Sequence, residues 1–88
     1  MKIEWDDDKR DRTLRERGLD FASVADAEWD AALTVEDSRA EYGEPRFVSL
    51  VSIHARLCVV AWCRRGHALR VISLRKANAR ERRLYDEA

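Results

Sequence analysis

Long apolar runs are missing from this sequence. No apolar stretch approaches the roughly 18 residues that a membrane-spanning helix needs. The first ten residues, MKIEWDDDKR, carry charges from the start, unlike the apolar core of a secretory signal peptide. We therefore expect a cytoplasmic protein with no membrane partner.

Glycine, cysteine and histidine are scarce, and this excludes several kinds of site. Three glycines are too few for a glycine-rich phosphate loop. The spacing of the two cysteines and two histidines does not match that of a metal-binding site; these residues are Cys58, Cys63, His54 and His67. The two cysteines have an odd separation, so on one strand they would face opposite sides of a sheet. We expect no metal, no cofactor, and two buried thiols in a reducing compartment.

The formal net charge of the chain is zero, but its two halves carry opposite charges. Residues 1–44 hold 7 Lys and Arg against 14 Asp and Glu, and residues 45–88 hold 10 against 3, so the halves carry −7 and +7. Such asymmetry points to a polyanionic partner for the basic half. The alternative is that the two halves neutralise each other across the fold.

The acidic half predicts short elements. Lys2 to Trp5 alternates polar and apolar residues like a strand. A surface helix should follow from about residue 7 to 17, with Asp6 as its N-cap and Gly18 closing it. The apolar spacing after Asp20 predicts a second, amphipathic helix to about Trp29. A possible strand, Leu33 to Val35, precedes a polar loop.

The basic half predicts a sheet and a final helix. The runs RFVSLVSI, RLCVVAWC and ALRVISL are separated by two and four residues, which forces antiparallel hairpins. Asn78 and Glu81 then have the spacing of a helix capping box. We predict one α+β domain over residues 1–88, in which two N-terminal helices and one C-terminal helix pack on an antiparallel meander.

Arginine is the residue type that carries chemistry in the basic half. Arg70 and Arg75 lie on the last strand, on opposite faces if its pairing is regular. Arg75 continues towards the N-terminus of the last helix, which itself favours an anion. Planar guanidinium groups beside such amides suit a phosphodiester.

Cleavage of RNA without a metal needs a base, an acid and positive charge on the transition state. The arginines, including the Arg64-Arg65 turn, are candidates for the charge. His54, His67, Glu81 and Tyr85 are candidates for proton transfer. The alternatives are exposed turn residues for the histidines and a helix cap for Glu81.

Two stretches of the chain resemble a known family. The start, EWDDDKRDRTLRERGLDFASVAD, is similar to the E-W-D-x-x-K-x-x-x-N-x-x-K-H-G-V-x-F-x-x-A pattern of the BrnT toxins. The end, RVISLRKANARERRLYDEA, resembles their R-I-I-S-A-R-x-A-x-x-x-E-R-x-x-Y-E pattern. The pattern falls on Glu4, Trp5, Asp6, Lys9, Gly18, Phe21, Arg46, Arg65, Gly66, Arg70, Ser73, Arg75, Glu81, Arg82 and Tyr85. The sequence departs from it at Thr13, Glu16, Arg17, Arg64 and Leu74.

The resemblance implies a type II toxin of RelE-like fold. Such a toxin is a metal-independent endoribonuclease that inhibits translation and is neutralised by a cognate, BrnA-like antitoxin. RNA is then the direct nucleic-acid partner, and DNA is reached only through the antitoxin complex. Taken with the argument from the residues, it predicts the catalytic residues Arg65, Arg70, Arg75, Glu81 and Tyr85, and the RNA-binding residues Arg46, Arg64, Lys76, Arg80, Arg82 and Arg83.

Two other functions fit the same charges. One is a non-catalytic module whose basic half binds RNA or an acidic protein in a salt-sensitive way. The other is an interaction protein whose arginines serve only salt bridges within the fold.

Overall fold

The computed structural model describes the whole chain, residues 1–88, and its architecture is α+β, as predicted. Five strands form one sheet, and α-helices and 3-10 turns surround it. The elements are β1 (Lys2–Trp5), α1 (Asp7–Arg17), 3-10 turns at Phe21–Asp26 and Trp29–Ala31, β2 (Leu33–Glu36), β3 (Arg46–Ile53), β4 (Arg56–Arg65), β5 (Ala68–Lys76) and α2 (Ala79–Glu87).

The sheet is mixed, with the strand order β1-β5-β4-β3-β2. Strands β3, β4 and β5 form the predicted antiparallel meander, and β2 adds to β3 in the antiparallel sense. The prediction of a wholly antiparallel sheet is wrong at the other edge, where β1 runs parallel to β5 and pairs Lys2 with Ala68. Short connections dictate direction only between neighbouring strands, and most of the chain separates β1 from β5.

The predicted second helix is also wrong. Asp20 does cap the segment, accepting a hydrogen bond from the Ala22 amide, but the chain then forms a 3-10 turn that ends at Asp26. Phe21 and Val24 are three residues apart, and 3-10 geometry has three residues per turn, so both point into the core. A spacing of three fits either helix type, and in this segment the tighter one is formed.

One face of the sheet, the packed face, carries the core. Val51, Val60, Val71 and Leu74 meet Phe21 and Val24 there, and all six are almost fully buried. The indole of Trp62 lies over Phe47 and donates from Nε1 to the hydroxyl of Ser49 at 2.8 Å.

Both thiols are buried and unpaired with each other. Cys58 belongs to the packed core, whereas Cys63, an odd number of residues away on the same strand, points to the other side, as predicted. Burial raises the pKa of the Cys58 thiol, which keeps it protonated and unreactive.

The opposite, open face of the sheet carries little cover. Helix α2 crosses one end of it without a single buried residue, although its predicted capping box is formed by Asn78 and Glu81. None of the helices is both long and apolar enough to span a membrane.

Candidate functional site

A β-bulge decides which arginines share the open face. In the β4–β5 pairing, Ala61 lies opposite Ser73 and Trp62 opposite Val71, so Ile72 is the extra residue. The alternation of side chains is therefore reset between Val71 and Leu74, both of which point into the core. Arg70 and Arg75 consequently lie on the same face, and the prediction of opposite faces, which assumed regular pairing, is wrong.

Three rows of side chains cross the open face from strand to strand. The residues of each row are register partners, and each row runs from β5 towards β3 or β2. The rows are Arg70, Cys63 and Arg46; Ser73, Ala61, Val48 and Val35; and Arg75, Val59, Leu50 and Leu33. The small side chains of Ser73 and Ala61 leave a shallow trough between the two rows that contain arginine.

Four arginines of the open face form what we name the arginine row, which is distinct from the three rows of register partners. They are Arg46, Arg65, Arg70 and Arg75. Three of them, Arg46, Arg65 and Arg70, surround a cavity of about 170 Å³ with Cys63 in its wall. Arg75 lies farther along the face, beyond the trough. On β4, Cys63 is the register partner of Arg70 and Arg46, and Val59 is the register partner of Arg75, so these two positions are roughly 13 Å apart at about 3.3 Å per strand residue. Arg65 lies two residues beyond Cys63 on the same strand.

The arginine row is partly neutralised by carboxylates. Arg65 Nη2 contacts Glu44 at 3.0 Å, Arg70 Nη1 lies 3.6 Å from Glu4, and Arg75 Nη2 lies 2.7 Å from Glu81. Since Glu4 and Glu44 belong to the acidic half of the sequence, the two halves do neutralise each other across the fold in part. The Arg65–Glu44 and Arg70–Glu4 pairs are single, half-exposed contacts and are weak enough for an anion to displace them, whereas the Arg75–Glu81 pair is bidentate.

Arg46 has no carboxylate partner. Its guanidinium stacks on the ring of Tyr42, with 4.1 Å between the guanidinium carbon and the ring centroid. Its Nε is buried and lacks a hydrogen-bond acceptor. A buried donor of this kind is costly until an acceptor forms a hydrogen bond with it.

Glu81 has a structural role at the other end of the row. It accepts two hydrogen bonds from Arg75, at 2.8 and 2.7 Å, and another from the Asn78 amide. The Arg75 guanidinium lowers the pKa of Glu81 to about 2. Glu81 is therefore ionised and only weakly basic at neutral pH, which suits a cap and an ion pair better than a proton acceptor.

The low pKa of Glu81 predicts an acid-sensitive attachment of α2. Because the folded pKa lies below the ordinary value of 4.5, the pair stabilises the fold fully above that value and is lost as pH falls towards 2. We expect thermal melts from about pH 5 to about pH 2.5 to show a larger drop in Tm for the wild type than for Glu81→Gln, which retains a capping acceptor. Equal drops would show that the pair does not hold α2.

None of the other candidates for proton transfer forms a hydrogen bond or ion pair with the arginine row. Tyr85 donates its hydroxyl to the Ala31 carbonyl at 2.9 Å and so ties α2 to the chain before β2. His54 lies in the β3–β4 turn, where its Nε2 is 2.9 Å from Asp26. His67 is exposed in the β4–β5 turn.

The remaining predicted RNA-binding residues lie on other surfaces. Arg64 lies on the packed face of β4, with its guanidinium 5.8 Å from the ring of Trp62. The others are exposed near or on α2 and form no ion pair, namely Lys76, Arg80, Arg82 and Arg83. The arginine row and these α2 cations are thus two basic surfaces that meet at Arg75.

The acidic and aromatic groups beside the row could not be chosen from their residue types alone. Glu44 and Tyr42 belong to the loop before β3, which the sequence marks only as polar. The local sequence marks Asp6 only as a helix cap, and only the family pattern marks Glu4 and Lys9. Asp6, Lys9 and Glu44 line the same cavity as three of the arginines.

Comparisons with known proteins agree with the resemblance. The family model described as the ribonuclease toxin BrnT of type II toxin–antitoxin systems matches residues 5–81. The fold is similar to the crystal structure of the ribonuclease toxin BrnT of Brucella abortus, with a TM-score of 0.70 and 29% identity over 89% of this chain and 97% of that one. No curated protein matches the sequence.

Proposed function

This chain belongs to the BrnT family of ribonuclease toxins of type II toxin–antitoxin systems, and we propose that it is itself a metal-independent endoribonuclease that binds RNA along the arginine row. The observation that carries the proposal is the bulge in β5. By bringing Arg70 and Arg75 to one uncovered face with Arg46 and Arg65, it gathers four guanidinium groups from three strands.

The arginine row suits a phosphodiester better than a protein carboxylate. One guanidinium group can donate two parallel hydrogen bonds to the oxygens of a phosphate. Several such groups along a surface can contact successive phosphates of an RNA backbone, which carries one negative charge per nucleotide. Arg46 has no carboxylate partner, and the ion pair of Arg70 is long at 3.6 Å. The charge of both guanidinium groups is therefore only weakly compensated within the fold.

Cleavage would proceed by attack of the 2′-oxygen on phosphorus. A base takes the 2′-proton, the bond to the 5′-oxygen breaks, and an acid protonates that oxygen, leaving a 2′,3′-cyclic phosphate and a 5′-hydroxyl. Glu44 is the carboxylate we assign to proton transfer, because it lies in the cavity with Arg46, Arg65 and Arg70. The arginines would stabilise the negative charge that develops on the phosphoryl oxygens.

The wider roles follow from the proposed activity. RNA cleavage would inhibit translation in the cytoplasm, a BrnA-like antitoxin encoded beside the toxin would neutralise it, and DNA would be contacted only through the antitoxin. Membership of the family is the ground on which we assign the fold to the RelE-like class. Arg64 is omitted from the proposed RNA surface because it stacks over Trp62 on the packed face.

Induced expression in a bacterial host tests this function. We expect growth arrest together with loss of RNA integrity, both relieved when the adjoining open reading frame is expressed as well. Normal growth at high soluble expression would contradict the toxin function. Salt-sensitive RNA binding without cleavage would then identify a binding module instead.

A further inference from the structure

Three of the five large apolar side chains that are exposed on this molecule surround a single groove. They are Leu33, Val35 and Leu84, with exposed fractions of 37%, 66% and 57%. The groove lies on the open face between α2 and β2, and its volume is about 610 Å³. Val48, Leu50 and Val59 line the rest of it. A concentration of apolar surface of this kind marks an interaction site rather than random exposure.

Helix α2 borders the groove without filling it. The helix has no buried residue, and polar contacts through Glu81 and Tyr85 hold it in place. On the other side, β2 is an edge strand whose four residues are all exposed. The groove is therefore open along its length to a segment from another chain.

The charges around the groove select its occupant. Its charged lining residues are Glu81 and Glu87, and no lysine or arginine lines it. Glu81 is paired with Arg75, so Glu87 is the free charge, and it lies at the C-terminal end of α2, where the helix dipole is also negative. RNA would be repelled there, and two copies related by a twofold axis would bring their Glu87 side chains towards each other.

The groove is continuous with the arginine row. Val35, Val48, Val59 and Glu81 line both the groove and the adjoining depression that contains Arg75 and Ser73. A segment that fills the groove therefore ends beside Arg75. Its position would limit access of RNA to that end of the row.

We propose that this groove is the docking site of the cognate antitoxin, through a segment that places apolar side chains between Leu33, Val35 and Leu84 and a lysine or arginine near Glu87. The existence of the antitoxin rests on the proposed function. The surface itself is inferred from exposure and charge, and it lies outside the residues assigned to cleavage.

The test uses the full chain and the protein encoded by the adjoining open reading frame. We expect Val35→Glu and Leu84→Glu each to weaken binding of that protein by a factor of at least ~10, as calorimetry would measure, because each places a carboxylate in the apolar groove. Glu87→Lys, a change on the exposed rim that leaves the groove's apolar lining intact, should also weaken it. RNA cleavage by Leu84→Glu and Glu87→Lys, whose residues do not line the depression that contains Arg75, should match the wild type.

A matched control is available on the other side of the molecule. Leu14 on α1 is 44% exposed and lies outside the groove, so Leu14→Glu should leave binding unchanged. Wild-type affinity in Val35→Glu, Leu84→Glu and Glu87→Lys would overturn the proposal. It would also be overturned if two copies of this chain dimerised through the groove, or if the protein encoded by the adjoining open reading frame did not bind. Binding lost in the variants of a protein that never cleaves RNA would support the docking site while contradicting the proposed function.

Discussion

Arg70→Ala is expected to lower the rate of RNA cleavage by about 10²- to 10³-fold, the range found when one preorganised donor to a transition-state oxyanion is removed. Arg70 lies at the centre of the site, between Glu4 on β1 and Cys63 on β4, and it borders the cavity shared with Arg46 and Arg65. Its side chain is on the surface, so the fold should be retained. Cleavage rates of purified variants on one RNA substrate, with circular dichroism for folding, measure the effect.

Arg64→Ala is the matched control for Arg70→Ala. Arg64 is also an arginine near the end of the meander, but it stacks over Trp62 on the packed face. Its replacement should leave cleavage within about twofold of the wild type, since surface changes away from a site have small effects. Equal losses for Arg64→Ala and Arg70→Ala would contradict the division of the arginines between the two faces.

Glu44→Gln should lower the rate of RNA cleavage while RNA affinity is retained, because the change removes a proton acceptor and leaves the arginines in place.

Phe21→Ala is expected to reduce the free energy of unfolding by about 3–5 kcal/mol, the usual cost of deleting a buried aromatic ring. Phe21 is 1% exposed and fixes the first 3-10 turn to the packed face together with Val24. Small domains have about 5–15 kcal/mol of stability in total, so the variant should be close to unfolding at 37 °C. Urea denaturation with the wild type alongside measures the change.

Leu14→Ala supplies the comparison for Phe21→Ala. Leu14 is an apolar residue of α1 that remains 44% exposed, and α1 has no buried residue. Its truncation should cost less than about 1 kcal/mol. A cost for Leu14 as large as that for Phe21 would show that α1, rather than the 3-10 turn, anchors the acidic half to the sheet.

The elements that the sequence predicts well are those with local signals. Asp6 caps α1 and Gly18 ends it in a left-handed conformation, as the spacing predicts. The capping box at Asn78 and the meander also form as expected, because caps and short hairpins depend on neighbours in the chain.

The features that the sequence does not predict depend on pairing across the sheet. The bulge at Ile72 follows from the fit of β5 against β4, and nothing in ALRVISL marks it. The parallel pairing of β1 and the approach of Glu44 to Arg65 likewise join distant parts of the chain. The arginines of the site could therefore be chosen from the sequence, but the face they share could not.

Incubation of the purified protein with RNA in excess EDTA tests most directly whether the arginine row cleaves RNA without a metal. We predict that the wild type produces fragments with 2′,3′-cyclic phosphate and 5′-hydroxyl ends, and that Arg70→Ala does not. Intact RNA with the wild type, or cleavage that returns only when a divalent metal is added, would contradict the proposed mechanism.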